Sequence, residues 1–214
     1  VTSSHVKICA IAGGSGAGKT TLAMKLLDRV GDRGSHFTID WYYRDLSHMA
    51  PPERALVNFD HPDSLEIDLF AQHLAMLASG ESVAAPVYDF ATHTRSDETL
   101  HVEARPCVVI EGIHLLSLEA VRELCSLLVF IDVDPQIRLD RRVRRDVAER
   151  GRTEQSVRDQ WATTVAPMHD EFVQPSAAFA DRLVTANPRP RRRRTRHPVA
   201  ERLDRQVRRN EIDS

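Results

Sequence analysis

The run Gly13-Gly14-Ser15-Gly16-Ala17-Gly18-Lys19-Thr20 constrains this chain more than any other segment. It reads as Gly, four residues, then Gly-Lys-Thr, between an apolar run at 6–12 and a helix-period stretch from Thr20 to Val30. Glycines let backbone N–H groups curl around an anion without Cβ clashes. The helix after the loop turns its positive end to the same point. In such a loop the lysine reaches the β- and γ-phosphates of a nucleoside triphosphate and the Ser/Thr hydroxyl ligates Mg²⁺. Gly13, Gly14, Ser15, Gly16, Ala17, Gly18, Lys19, Thr20 and Thr21 are therefore the candidate ATP-binding residues, with GTP as the other donor.

A strand–loop–helix unit needs partner strands, and the sequence supplies them. Leu22, Leu26 and Val30 share one helix face, and Gly31 ends that helix. Residues 36–39 read as a strand that delivers Asp40. Residues 41–60 read as loop with a helical turn interrupted by Pro51-Pro52. Asp63, with Glu66 three residues on, reads as the cap of a helix carrying Ile67, Phe70, Leu74 and Leu77 up to Gly80. Residues 86–90 and 99–103 suggest a hairpin around His93-Thr94-Arg95. Residues 107–110 and 127–133 are buried strands, and 183–185 a last one. Asp134-Pro135 opens an Arg-rich helix, and a further helix holds Val157, Trp161 and Val165. The alternation predicts an α/β fold of the P-loop NTPase type: about five parallel strands, helices on both faces and a small hairpin lobe.

At 214 residues, 42% of them apolar, the chain holds one domain with a sizeable core and no run long enough to span a bilayer. The start shows no secretory signal pattern. Cys9, Cys107 and Cys125 lack metal spacing and read as reduced thiols of a cytoplasmic protein. Charge divides the chain: residues 188–214 carry ten arginines against four acids, leaving the remainder acidic. The expected division is a phosphate-loop domain at 1–187 and a disordered or weakly helical basic tail at 188–214. The tail could touch nucleic acid; the acidic body does not read as a nucleic-acid binder.

Beyond the loop, single residues are ambiguous. Glu111 ends a buried strand, where a metal-side carboxylate sits in open α/β sheets, or it simply closes the strand. Asp40 is a proton acceptor or a turn residue. Arg141, Arg142, Arg144, Arg145, Arg150 and Arg152 either neutralise phosphate oxygens or form a solvated face paired to Asp140, Asp146 and Glu149.

Longer strings break the tie. Residues 40–47 (Asp-Trp-Tyr-Tyr-Arg-Asp-Leu-Ser), 58–63 (Asn-Phe-Asp-His-Pro-Asp), Pro86-Val87-Tyr88-Asp89-Phe90 with His93 and Arg95, Glu111-Gly112-Ile113, and the stretch from Arg141 to Arg152 resemble the uridine kinase (uridine–cytidine kinase) family, in order, across 6–187. The resemblance implies Mg²⁺- and ATP-dependent phosphorylation of the 5′-hydroxyl of a pyrimidine ribonucleoside. Its implied catalytic residues are Asp40, Lys19 and Arg145, with Asp40 activating the hydroxyl. Arg150 is placed with the ATP. Asp60 and Arg142 hold the ribose hydroxyls, and Tyr43, Tyr88, Phe90 and His93 surround the base. Arg152 and Gln160 lie near the nucleoside. Thr20 and Glu111 hold the metal, directly or through water. The family is commonly tetrameric and closes its site with a mobile lid, which makes the stretch from Arg141 to Arg152 the implied Arg-rich lid. Trp41 stands where the family usually has a small or acidic residue and is expected to crowd the mouth of the site. Rival readings are other kinases of this fold, acting on ribulose phosphate, pantothenate or nicotinamide riboside. A non-enzymatic nucleotide-binding regulator is a further rival, though one with no need of Asp40 or the lid arginines.

Overall fold

The computed structural model describes residues 6–54 and 56–185; the basic tail expected at 188–214 lies outside the described residues. Among these, β1 (Lys7–Gly13), β2 (Gly34–Thr38), β3 (Val83–Asp89), β4 (Thr94–Val102), β5 (Cys107–Glu111), β6 (Leu127–Asp132) and β7 (Arg182–Thr185) form two sheets. Five strands pair in parallel in the order β2-β5-β1-β6-β7, and β3 and β4 form a separate antiparallel hairpin.

The centre of the large sheet is apolar on both faces, as a doubly covered parallel sheet must be. Ile8, Ala10 and Ala12 of β1 look one way, into a core with Phe37, Phe70, Leu74, Leu77 and Val121. Cys9 and Ile11 look the other way, toward Leu22, Ala23, Leu26, Val109 and Val129. Helix α1 (Lys19–Val30) covers this second face, while α3 (Ile67–Ser79) and α4 (Glu119–Leu124) cover the first. Each Val, Leu, Ile or Phe side chain removed from water here contributes on the order of 1.5–3 kcal/mol. Gly31 and Gly80 end α1 and α3 with positive φ. Cys9 and Cys107 are buried, and Cys125 is partly so; all three thiols are free.

Helix α5 (Pro135–Glu149) starts as its sequence predicts: the Asp134 carboxylate accepts from the N–H groups of Gln136 and Ile137, with Pro135 in the first turn. Helix α6 (Glu154–Gln160) runs on to residue 176 through two π-helical turns, Trp161–Val165 and His169–Val173. Val157, Trp161 and Val165 are buried as expected.

Four local expectations change. Asp63 does not cap α3. Pro62 fixes a 3-10 turn, Pro62–Ser64, whose cap is His61, and Glu66 bonds Arg95 at 2.8 Å instead of closing a capping box. Pro51-Pro52 does not interrupt a helical turn but opens one, α2 (Pro51–Arg54), because proline's missing N–H costs nothing in a first turn. Asp40 is not at a strand end, since β2 stops at Thr38 and a 3-10 turn, Ile39–Tyr42, carries Asp40 onward. The hairpin strands are longer than their sequence signals suggest, and the turn between them holds His93 at φ 57°.

Candidate active site

A cavity of about 350 Å³ opens at the carboxyl ends of β1 and β5, where ligands of open α/β sheets bind. Its floor is the glycine loop. Gly16 has φ 78°, and a Cβ there would collide with the Arg138 carbonyl; a Cβ on Gly14 would collide with the Arg138 guanidinium. The loop is thus glycine by close approach, which leaves a cradle of backbone N–H groups. Lys19 donates to the Gly14 carbonyl at 3.2 Å. Burial lowers its ammonium pKa, against the opposing pull of Glu111 and Asp40. The Thr20 hydroxyl donates to Glu111 Oε1 at 3.1 Å. Thr21 is exposed one residue further along α1 and does not line the cavity.

The turn after β2 aims Asp40 at this floor. Thr38 Oγ1 accepts from the Asp40 N–H at 3.2 Å and donates to the Glu111 carbonyl at 3.0 Å, so β5 fixes where the turn begins. Burial, then the negative charge of Glu111, raises the Asp40 carboxyl to about 6, against Lys19, Arg150 and Arg145. A carboxylate tuned upward this way can hold or release a proton near neutral pH. Trp41 does not crowd the mouth: it packs edge-on against His36 and Phe37, with ring centroids 5.7 and 5.9 Å away.

The far end of the cavity is aromatic. Tyr43 lies 5.2 Å from Tyr88 and 6.1 Å from Phe90, and His93 stacks on Phe59 at 4.3 Å. The Tyr88 hydroxyl and His93 Nδ1 are buried and find no hydrogen-bond partner among the described residues. Two unsatisfied polar atoms in an aromatic box are what a flat heterocycle with polar edges would satisfy. Arg150 lies over the Phe90 ring, 5.0 Å from its centre.

Between the two ends stand Asp60 and Arg142, both nearly buried, with Arg142 Nη1 at 4.0 Å from Asp60 Oδ1. Arg142 also donates to Ser15 Oγ at 2.8 Å and to Gln160 Oε1 at 2.9 Å. It thereby ties the glycine loop to α6. Burial raises the Asp60 carboxyl and lowers the Arg142 guanidinium, each against the other's charge.

The arginine series is not one solvated face. Arg144 is exposed, and Arg141 reaches the Gly16 and Ala17 carbonyls at 3.4 Å. Arg142, Arg145, Arg150 and Arg152 converge on Asp146, which has no exposed surface. Arg145 donates to its Oδ1 from Nε at 2.8 Å, and Nη2 lies at the same distance from that oxygen. Arg152 also bonds Gln160 Oε1. All four arginines line the cavity. In sequence Asp146 looks like a surface partner, because an i,i+4 Arg–Asp pair has the same spacing on a solvated helix.

The sequence patterns assign no site role to Phe59, Ile113, Thr164 or His114. Phe59 and Ile113 line the cavity, and Thr164 and His114 bond Asp60. Phe59 and Ile113 sit inside the family-like strings at 58–63 and 111–113; nothing local to Thr164 points to Asp60.

Taken together, sheet, loop and carboxylate placement define a phosphate-loop kinase fold. Comparison with known proteins narrows it. Residues 8–191 match the model of the Phosphoribulokinase / Uridine kinase family, and the chain belongs to that family. A protein named uridine kinase from Chloroflexus aurantiacus is 46% identical over 180 residues, covering 84% of this chain and 86% of that one. One of the same name from Halobacterium salinarum is 42% identical over 174 residues, covering 81% and 77%. Among solved structures, phosphoribulokinase from Rhodobacter spheroides superposes with TM-score 0.68 at 14% identity over 98% of this chain and all of that one. D-glycerate 3-kinase from Cryptococcus neoformans superposes with TM-score 0.57 at 17% identity, over 80% of each. At those identities the likeness is one of fold.

Proposed function

We propose that this protein transfers the γ-phosphoryl group of ATP to the 5′-hydroxyl of uridine and cytidine, as a salvage enzyme for pyrimidine ribonucleosides. The observation that carries this is one cavity with three chemistries in series. Lys19, Thr20, Asp40 and Glu111 stand at one end and an aromatic box at the other, with the Asp60–Arg142 pair between them. The order matches phosphate, ribose and base. Relatives named uridine kinase at 46% and 42% identity support it.

The loop would hold the triphosphate on its N–H groups, with Lys19 supplying positive charge to the transferred group. Thr20 and Glu111 offer a hydroxyl and a carboxylate side by side, the hard-oxygen donors that suit Mg²⁺ held mainly by substrate phosphates. When bound there, Mg²⁺ would supply charge neutralisation for the triphosphate. Asp40 accepts or orients the proton of the 5′-hydroxyl, which attacks in line. Arg145 and Arg150 meet the charge that develops on the equatorial oxygens, and α5 with the turn after it excludes water. Asp60 accepts from the ribose hydroxyls while Arg142 donates to one of them. Tyr43, Phe59, Phe90 and His93 enclose the base, and the Tyr88 hydroxyl and His93 Nδ1 bond its edge.

The test is ADP release in a coupled assay across uridine, cytidine, adenosine, pantothenate and nicotinamide riboside, with MgATP and with MgGTP. Turnover confined to the pyrimidine ribonucleosides is expected. Preference for pantothenate or nicotinamide riboside would replace the assignment, and no turnover of any acceptor would favour a nucleotide-binding regulator.

A further inference from the structure

Asp60 is fastened on three sides. Its N–H is accepted by Asn58 Oδ1 at 3.1 Å. Its carbonyl lies 2.9 Å from Nε2 of His114, a wholly buried ring. That contact makes Nε2 the donating nitrogen. Its Oδ2 lies 3.1 Å from the Thr164 hydroxyl. Oδ1 faces Arg142 at 4.0 Å and accepts no hydrogen bond among the described residues.

Thr164 reaches Asp60 because of a defect in its helix. It lies in the π-helical turn Trp161–Val165. One extra residue per turn rotates the downstream side chains by about 100° relative to a continuous α-helix. Gln160, the residue before this turn, holds Arg142 Nη2 at 2.9 Å. Asp60 therefore hangs from this irregular turn and Arg142 from the residue just before it. The Thr164 hydroxyl has one proton and two acceptors, Asp60 Oδ2 and the Gln160 carbonyl, each at 3.1 Å. An ionised carboxylate is the stronger acceptor of the two, so the proton points to Asp60 when Asp60 is charged.

We propose that Thr164 is a positioning residue for acceptor selection: by engaging Asp60 Oδ2, it turns Oδ1 to the 2′,3′-diol of the acceptor. This rests on the nucleoside reading above. With Oδ2 occupied, an acceptor lacking the 2′-hydroxyl leaves Oδ1 under-bonded, whereas a free carboxylate could turn to satisfy itself. Ribose selection thus depends on a residue that touches no substrate.

The experiment is kcat and KM for uridine and 2′-deoxyuridine in wild type, Thr164→Val and Thr164→Ser, with thermal melts as a check of folding. Valine keeps the shape and deletes the donor; serine keeps the donor. Thr164→Val should raise the uridine KM about 3–15-fold, the scale of one lost hydrogen bond. It should leave kcat and the MgATP KM within about threefold and shrink the ribose-over-deoxyribose ratio by a similar factor. Thr164→Ser should restore most of the ratio. An unchanged ratio in the valine variant, or a serine variant as impaired as valine, overturns the inference and leaves packing as the role. A wild type that ignores uridine overturns the nucleoside reading and this inference with it. A wild type that turns uridine over beside an unaltered valine variant overturns the inference alone.

Discussion

Asp146→Asn tests the arginine cluster by removing one charge and almost no volume. Four guanidinium groups lie within 4 Å of this carboxylate: Arg145 at 2.8 Å, Arg142 at 3.5 Å, Arg150 at 3.7 Å and Arg152 at 3.8 Å. At an effective dielectric of about 20 a pair at such range is worth about 4 kcal/mol. Three of the arginines, at 35%, 34% and 30% side-chain exposure, are screened by water, which cuts each to at most about 1 kcal/mol. Arg142, at 9%, is not. Breaking a buried pair costs about 3–5 kcal/mol, and an asparagine carbonyl that still accepts from Arg145 returns about 1 kcal/mol. The net expectation is a loss of about 2–4 kcal/mol, which moves a urea midpoint down by about 1–2 M at ordinary slopes. The lost charge can be replaced from outside. Inorganic tripolyphosphate should raise the variant's midpoint more than the wild type's, because four mutually repelling cations then gain the counter-ion they lack. An unchanged midpoint, or equal rescue of both proteins, would refute the idea that Asp146 balances the cluster.

Three other outcomes are expected. Lys19→Ala should abolish detectable phosphoryl transfer while circular dichroism stays unchanged, since Lys19 contributes charge to the site and not apolar packing. Asp40→Asn should lower kcat about 10²–10⁴-fold. In the wild type the ionised form is the acceptor, and its carboxyl is raised to about 6. kcat/KM measured at low MgATP should therefore fall as pH drops through 6, a limb the asparagine variant should lack. His93→Ala removes a ring stacked on Phe59 at 4.3 Å. It should raise the uridine KM about tenfold with kcat little changed, the signature of lost ground-state binding.

Much of the fold is legible because its signals are local. The glycine loop, the apolar strands and the Asp134-Pro135 helix start are each written in consecutive residues. The capping-box reading of Asp63 and Glu66 fails because the competitor is distant: Arg95, on the hairpin, claims the Glu66 carboxylate. Asp146 reads as a surface partner for a related reason. Burial of its pair depends on Arg150 and Arg152 returning over α5 from the turn beyond it, and helical spacing carries no trace of that. The π-helical turns escape notice because the buried set Val157, Trp161 and Val165 fits an ordinary i,i+4 rhythm. The extra residue shows only in where Thr164 ends up.

The hairpin of β3 and β4 belongs to a different sheet from the strands that carry the glycine loop and Glu111. It meets the rest of the molecule chiefly at the turn Ile39–Tyr42. Tyr88, Phe90 and His93 ride on it, while Lys19, Thr20 and Glu111 do not. Under the proposed reading, part of the vocabulary for naming an acceptor is stored in a piece of chain separate from the grammar for moving a phosphoryl group. Tyr43, Phe59, Asp60 and Arg142 stay with the main body. Mutation of the ribbon can therefore revise how the base is met while the engine stays in service.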